Sequence, residues 1–266
     1  MQLTHEIDYN EIVKFLLFVS ESSDKIALEY FRSNSLVPIN KSDNSPVTIA
    51  DTEIEKHIRA KISESYPKHD IIGEEFDDLD QKSDYTWFID PIDGTSSYIS
   101  GKPTFTTLIA LAYKNRPILS LISQPYLKER FYTNGINSFF NDKIIQTSKV
   151  SKLDESVLST TSLAFFDDKQ LSKFNKVTKA TKYQKHGGYF TGGDAYQYAM
   201  LASGHIDLVI EANLKPHDYM SLVPIIKNAG GLITDWNGDE VNANSNGTIL
   251  ASANTKLHQS ALKLLN

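Results

Sequence analysis

The sequence predicts a fold of mixed α and β class, an antiparallel-sheet half followed by an α/β half. Three observations predict it. Residues 9–32 carry apolar side chains at helical spacing, residues 105–133 hold apolar runs separated by turn residues, and after about residue 145 strand-like and helix-like patterns alternate. The boundary is drawn at residues 1–145 and 146–266.

In chain order, Ile12, Phe15, Leu16, Val19, Ile26, Ala27 and Tyr30 recur every three or four positions and predict the first helix. The Pro-, Asn- and Ser-rich stretch 37–46 reads as a mobile loop. Asp51 precedes Ile54, Ile58, Ala60 and Ile62, a second amphipathic helix that ends before Pro67. Ile71-Ile72 is a short strand running into Gly73-Glu74-Glu75. Tyr85 to Ile89 is another, running into Asp90-Pro91-Ile92-Asp93-Gly94-Thr95. Strands follow at 105–113, 118–123 and 130–133, with Lys114 to Pro117 as a hairpin turn. In the second half, Gly192-Gly193 opens a helix at 195–202. Strand 206–211, a helix after Asp218, strands 231–234 and 249–251 and a last helix at 255–265 complete the chain.

Composition narrows the function. With 40% hydrophobic and 23% charged residues, the 266-residue chain is globular rather than disordered. Its net charge of −6 argues against a nucleic-acid or anionic-membrane surface. The absence of cysteine excludes disulfides, thiolate metal sites and cysteine nucleophiles. Seven histidines form no His-x-His or His-Glu-x-x-His, which disfavours zinc hydrolase chemistry. Residues 1–10 lack the order of a signal peptide and no run is long enough to span a bilayer, so a cytoplasmic location is expected.

Four acidic spots stand at strand ends or helix starts: Glu74, Asp90, Asp93 and Asp218. Gathered carboxylates repel one another unless a cation neutralises them, and hard oxygen ligands point to Mg²⁺. In DPIDGT, Pro91 restrains the backbone between two aspartates, so both can face one site. Gly94 permits a turn and close ligand approach, and a helix starting after it would offer N–H groups to a phosphate. Thr95 adds a hydroxyl. Taken singly, each acid also reads as a surface turn residue or an N-cap.

Together VTIAD (47–51), GEE (73–75), WFIDPIDGT (87–95) and PHD (216–218) resemble the inositol monophosphatase family of Mg²⁺-dependent, lithium-sensitive phosphatases, in order and spacing, from about Pro46 to about Asn254. PHD departs from that family's Pro-Trp-Asp or Cys-Trp-Asp by carrying His217, which puts local packing in question rather than the ligand. SPVTIAD (45–51), the stretch 90–111 beginning DPIDGTSSYISGKP, the stretch 192–218 beginning GGDAYQYAM, and AGGLITDWNG (229–238) are similar to the histidinol-phosphatase branch.

The resemblance implies a layered α-β-α-β-α sandwich of the inositol monophosphatase and fructose-1,6-bisphosphatase type. It implies that Glu74, Asp90 and the Ile92 carbonyl hold one Mg²⁺, that Asp90 bridges to a second completed by Asp93 and Asp218, and that a third, looser ion is reached through water near Glu74. Two such cations, about 3.5–4 Å apart, serve attacking water and leaving alkoxide in direct in-line hydrolysis. Thr95 is expected to hold the water, Asp51 to accept the threonine proton, and the Gly94 and Thr95 N–H groups to hold phosphate. Asp51 also reads as the N-cap of a helix over 52–66.

Glu211, seven residues before Asp218, matches the family position that touches the leaving group, and Asp194 follows Gly192-Gly193 beside it. Two carboxylates suit an amino alcohol better than a neutral polyol. The substrate implied is L-histidinol phosphate, hydrolysed to L-histidinol and phosphate in histidine biosynthesis. Inositol 1-phosphate, another small phosphomonoester or a 3′-phosphonucleotide is the alternative, and a non-catalytic metal- or phosphate-binding protein the alternative of another class. Asp194 equally reads as the N-cap of helix 195–202. Lys41 and Asp43 resemble a family segment that closes over the site, or are solvated loop charge. His186-Gly187-Gly188 and Lys215 line the pocket or the surface. Phe165-Phe166 and Tyr189-Phe190 read as core or interface. No G-x-x-x-x-G-K-[ST] loop supports a kinase. The family is usually homodimeric.

Overall fold

The computed structural model describes residues 7–33, 36, 39–40, 46–181 and 189–266. Lys41, Asp43, His186, Gly187 and Gly188 lie outside them, as does most of the stretch 37–46. Helix α1 (Tyr9–Tyr30) is capped by Asp8, whose side chain accepts from the Asn10 N–H, and it buries Ile12, Leu16, Val19 and Ala27. Two-residue strands β1 (Ile39–Asn40) and β2 (Pro46–Val47) pair antiparallel ahead of α2 (Ile49–Ser65). Next come β3 (Asp70–Gly73), β4 (Tyr85–Asp93), the short helix α3 (Thr95–Ile99), β5 (Thr106–Tyr113), β6 (Arg116–Gln124), β7 (Glu129–Thr133), β8 (Ser138–Phe140) and β9 (Lys143–Ile145). These strands form a seven-stranded sheet in chain order, antiparallel except for the parallel β3–β4 pair.

The second half contains β10 (Leu158–Thr160), α4 (Asp168–Thr181), β11 (Tyr189–Thr191), α5 (Asp194–Ala202), β12 (Leu208–Glu211), α6 (Pro216–Tyr219), α7 (Leu222–Asn228), β13 (Leu232–Thr234), β14 (Ile249–Ser252) and α8 (Thr255–Leu265). Its five-stranded sheet runs β11-β10-β12-β14-β13, parallel on one side of β12 and antiparallel on the other.

Side-chain alternation explains the layering. On β4 and β5, Trp87, Ile89, Ile109 and Leu111 pack with Ile54 and Ile58 of α2, whereas Phe88, Leu108, Ala110 and Ala112 pack with Ala199, Leu222 and Ile225 of α5 and α7. Val209, Ile233 and Ala251 close that middle layer from the second sheet. Leu208, Ile210 and Leu250 face the other way, onto Phe174 and Val177 of α4 and Leu257 of α8. The order is α-β-α-β-α, as the resemblance implied. Both faces of β5 are buried, which is why its sequence is a continuous apolar run.

Several local expectations shift. Helix α2 starts three residues earlier than a cap at Asp51 would allow: Thr48 is the N-cap and Asp51 the third helical residue, closing a capping box. The β5–β6 turn is Lys114-Asn115 alone, with φ of 48° and 64°, so Arg116 and Pro117 belong to the strand. Helix α4 went unread in sequence, although Phe174, Val177 and Thr181 make a buried stripe; its charged remainder masked the short apolar period. Among the described residues no helix is long and apolar enough to cross a membrane.

Candidate active site

In a regular strand, residues three apart point to opposite faces. Asp90 pairs with Leu108 and Asp93 with Thr106, so two steps along β5 span three along β4 and the ladder slips between them. This bulge brings Asp90 and Asp93 to one side. Pro91 has no N–H to lose there, and its carbonyl accepts from the Thr107 hydroxyl at 2.8 Å. Gly94 then turns the chain at φ 79°, which begins α3.

Asp218 arrives from α6, where Pro216 occupies the first turn and the Asp218 carboxylate caps the Lys215 N–H at 2.6 Å. One carboxylate oxygen from each of Asp90, Asp93 and Asp218 lies within 4.8 Å of the others. His217, 8% exposed, puts its Nε2 3.4 Å from Asp218 Oδ1. The departure in PHD therefore places a nitrogen against the carboxylate. Glu74 stands just past β3, whose Gly73 pairs with Ile89. It lies outside the tight trio, and its charge helps to push Asp90, Asp218 and Asp51 upward.

Burial, followed by the neighbouring acids, drives the Asp90 and Asp93 carboxyls far above the ordinary carboxylate range. Asp93 Oδ2 accepts from the Ala195 N–H at 2.6 Å and the Thr106 hydroxyl at 3.2 Å. Asp90 Oδ1 is buried with no hydrogen-bond partner, and so is Asp51 Oδ1. Buried oxygens are rarely left so. The converging oxygens of Asp90, Asp93 and Asp218, with Asp90 Oδ1 unpaired, fit a divalent cation such as Mg²⁺.

The expected Thr95–Asp51 hydrogen bond is not made. The Thr95 hydroxyl donates to the Ile92 carbonyl at 3.0 Å. Asp51 Oδ2 instead accepts the Thr48 N–H at 2.8 Å and the Thr48 hydroxyl at 2.6 Å, because the helix starts at Ile49 and makes Asp51 its box partner. Burial raises Asp51 to about 6 despite those bonds.

Across the cleft, Asp194 is the first residue of α5, not its cap. Gly193 takes that place at φ 113°, and Asp194 itself sits at φ 44°. A Cβ on Gly94 would approach Asp194 Oδ2 to 2.7 Å, so Gly94 serves both turn and contact. Asp194 is raised to about 6, mainly by burial. Glu211 ends β12 inside a cage: Oε1 accepts from the Thr161 N–H at 2.9 Å and Gln197 Nε2 at 3.0 Å, and Oε2 from the Tyr198 hydroxyl at 2.8 Å. Burial still lifts it to about 7. Asp93, Asp194, Glu211, Asp218, Thr161 and Phe165 line one cleft. Phe165 thus belongs to the site wall, while Phe166 stacks on Phe174 in the core.

Sequence reading missed Thr161, Gln197 and Tyr198. The last two lie three and four residues after Asp194, a helical spacing that could have found them.

Residues 8–266 match the inositol monophosphatase family. The chain belongs to it. This is a family of metal-dependent phosphatases acting on small phosphate substrates. The chain is 41% identical over 257 residues to the bifunctional phosphatase IMPL2, chloroplastic, of Arabidopsis thaliana, covering 93% of this chain and 72% of that one. It is 30% identical to a histidinol-phosphatase of Chlorobaculum parvum, covering 90% and 92%. Among solved structures, an inositol monophosphatase from Zymomonas mobilis superposes with TM-score 0.86 at 34% identity, covering 98% and 99%.

Proposed function

We propose that the chain is a Mg²⁺-dependent phosphomonoesterase that hydrolyses L-histidinol phosphate to L-histidinol and phosphate. The observation that carries this reading is the surplus of acid: Asp194 and Glu211 share a cleft with Asp93 and Asp218, beyond what metal ligation needs. A neutral polyol gives no reason to bury two further carboxylates, whereas an ammonium and an imidazole N–H do. The histidinol-phosphatase of Chlorobaculum parvum among its relatives supports it.

Glu74, Asp90, the Ile92 carbonyl, Asp93 and Asp218 would hold the metal, two ions with a third looser one near Glu74. When bound, Mg²⁺ supplies the positive charge that lets a phosphate dianion and a nucleophilic water meet. The N–H groups of Gly94 and Thr95 open α3 toward the phosphate. The Thr95 hydroxyl, released from Ile92, orients the attacking water. Asp51, whose Oδ1 is unpaired, would receive the threonine proton. Asp194 pairs with the ammonium. Gly193, at φ 113°, sets the Asp194 backbone that aims it. Glu211, fixed by its cage, accepts from the imidazole. Residues 1–145 contribute Glu74, Asp90, Ile92 and Asp93, and residues 146–266 contribute Asp218 and the substrate wall, in a cytoplasmic homodimer.

The test is phosphate release from histidinol phosphate, myo-inositol 1-phosphate and a 3′-phosphonucleotide, each with Mg²⁺ and with chelator. Strong preference for the first, abolished by chelator, is expected. Equal or greater turnover of inositol 1-phosphate would overturn the substrate, chelator-resistant turnover the metal, and no turnover of any ester the enzyme reading.

A further inference from the structure

Glu55 is wholly buried on α2, one turn after Asp51, and belongs to none of the groups assigned above. Its Oε2 accepts from two successive backbone N–H groups, Glu74 at 3.0 Å and Glu75 at 2.7 Å. Its Oε1 accepts from Arg59 Nε at 2.7 Å, and Arg59 Nη2 reaches on to the Phe76 carbonyl at 3.0 Å. Three consecutive residues of the loop after β3 are thereby tied to one turn of α2. The Arg59 guanidinium also lies 5.9 Å from the Phe76 ring centre.

Gly73 shows how close the grip is. A Cβ there would stand 2.0 Å from Glu55 Oε1 and 2.9 Å from Arg59 Nη2. The glycine of GEE is thus the residue whose missing side chain lets Glu55 reach the loop. A buried carboxylate is costly unless paired and hydrogen-bonded, and burying one more a turn from Asp51 and against the Glu74 backbone is a poor way merely to stabilise a fold. Arg59 cancels its charge, and two charge-assisted N–H bonds remain to orient the loop.

We infer that Glu55, braced by Arg59, is a positioning residue that fixes the backbone of Glu74 so that its carboxylate is presented to the metal site. This deepens the proposed function and rests on its reading of Glu74 as a ligand. Groups that orient ligands from outside typically change metal affinity by about 10–100-fold.

The experiment is an Mn²⁺ titration of the full-length protein followed by electron paramagnetic resonance, without substrate and well below the melting temperature. Glu55→Gln removes the charge that binds Arg59, and Gly73→Ala pushes the Glu55 carboxylate off the loop while leaving every charge in place. Both are expected to weaken Mn²⁺ binding about tenfold or more. Ile58→Val, a core change on the same helix, lowers stability without moving the Mn²⁺ affinity. Glu74→Gln serves as reference. Should it weaken binding while Glu55→Gln and Gly73→Ala bind as the parent does, the positioning role is overturned and the ligand reading stands. Should Glu74→Gln itself bind as the parent does, the ligand reading falls, and the inference with it.

Discussion

Asp90 and Glu211 are both buried acids near the ends of core strands, and their surroundings are opposite. Glu211 has three donors for its two oxygens, all from its own half of the chain. Asp90 has an oxygen with no donor and faces Glu74, Asp93, Asp218 and Asp51. Burial raises both carboxyls. A hydrogen-bonded cage makes a buried acid tolerable, whereas a cluster of acids that leaves a buried oxygen of Asp90 without a donor is a site whose charge is balanced from outside.

The largest expected effect tests the unpaired side of this contrast. Asp90→Asn should lower kcat/KM by at least about 10³-fold, roughly 4 kcal/mol of transition-state stabilisation. In chelator the same variant should melt higher than the parent, since Asn has no carboxyl whose ionisation burial and the neighbouring acids oppose. A lower melting temperature there would break the contrast.

The caged side is tested by pH. Glu211 titrates near 7 when folded against 4.5 as its ordinary value. Its folded pKa is raised, so the associated stability is fully present below about pH 4.5 and lost as pH rises through about 7. The displacement corresponds to roughly 3 kcal/mol. Urea unfolding in chelator should therefore show parent stability falling across that window relative to Glu211→Gln, which stays neutral. Parallel profiles would show that the cage leaves Glu211 at its ordinary acidity.

The smallest effect sharpens the comparison at the substrate wall. Asp194→Ala should raise KM for histidinol phosphate about tenfold, near 1.4 kcal/mol, with Mg²⁺ dependence retained. An unchanged KM would remove the counter-ion role of Asp194.

The site was legible where its chemistry is local. DPIDGT packs two acids, a proline, a glycine and a hydroxyl into six residues, and the strand and turn they form follow from those residue types, whereas the bulge shows only in the ladder with β5. Asp51 was legible as a residue and misplaced in its helix, because Ser, Thr and Asp compete as caps and only the contact geometry picks Thr48. Helix α4 was hidden by its lysines. Glu55 gave no signal, since an acid four residues before an arginine reads as an ordinary helical ion pair.

By itself the sequence determined the alternation that buries both faces of the first sheet, the acids that gather as Asp90, Asp93 and Asp218, and the family to which the chain belongs. Those properties depend on residue type at short spacing. Tertiary structure alone decided which carboxylates go unpaired and which are caged, that Thr95 turns to Ile92 rather than Asp51, and that Glu55 grips the loop of Glu74. Each depends on hydrogen-bond partners brought from distant parts of the chain, and a buried polar atom's state is set by the partners it meets.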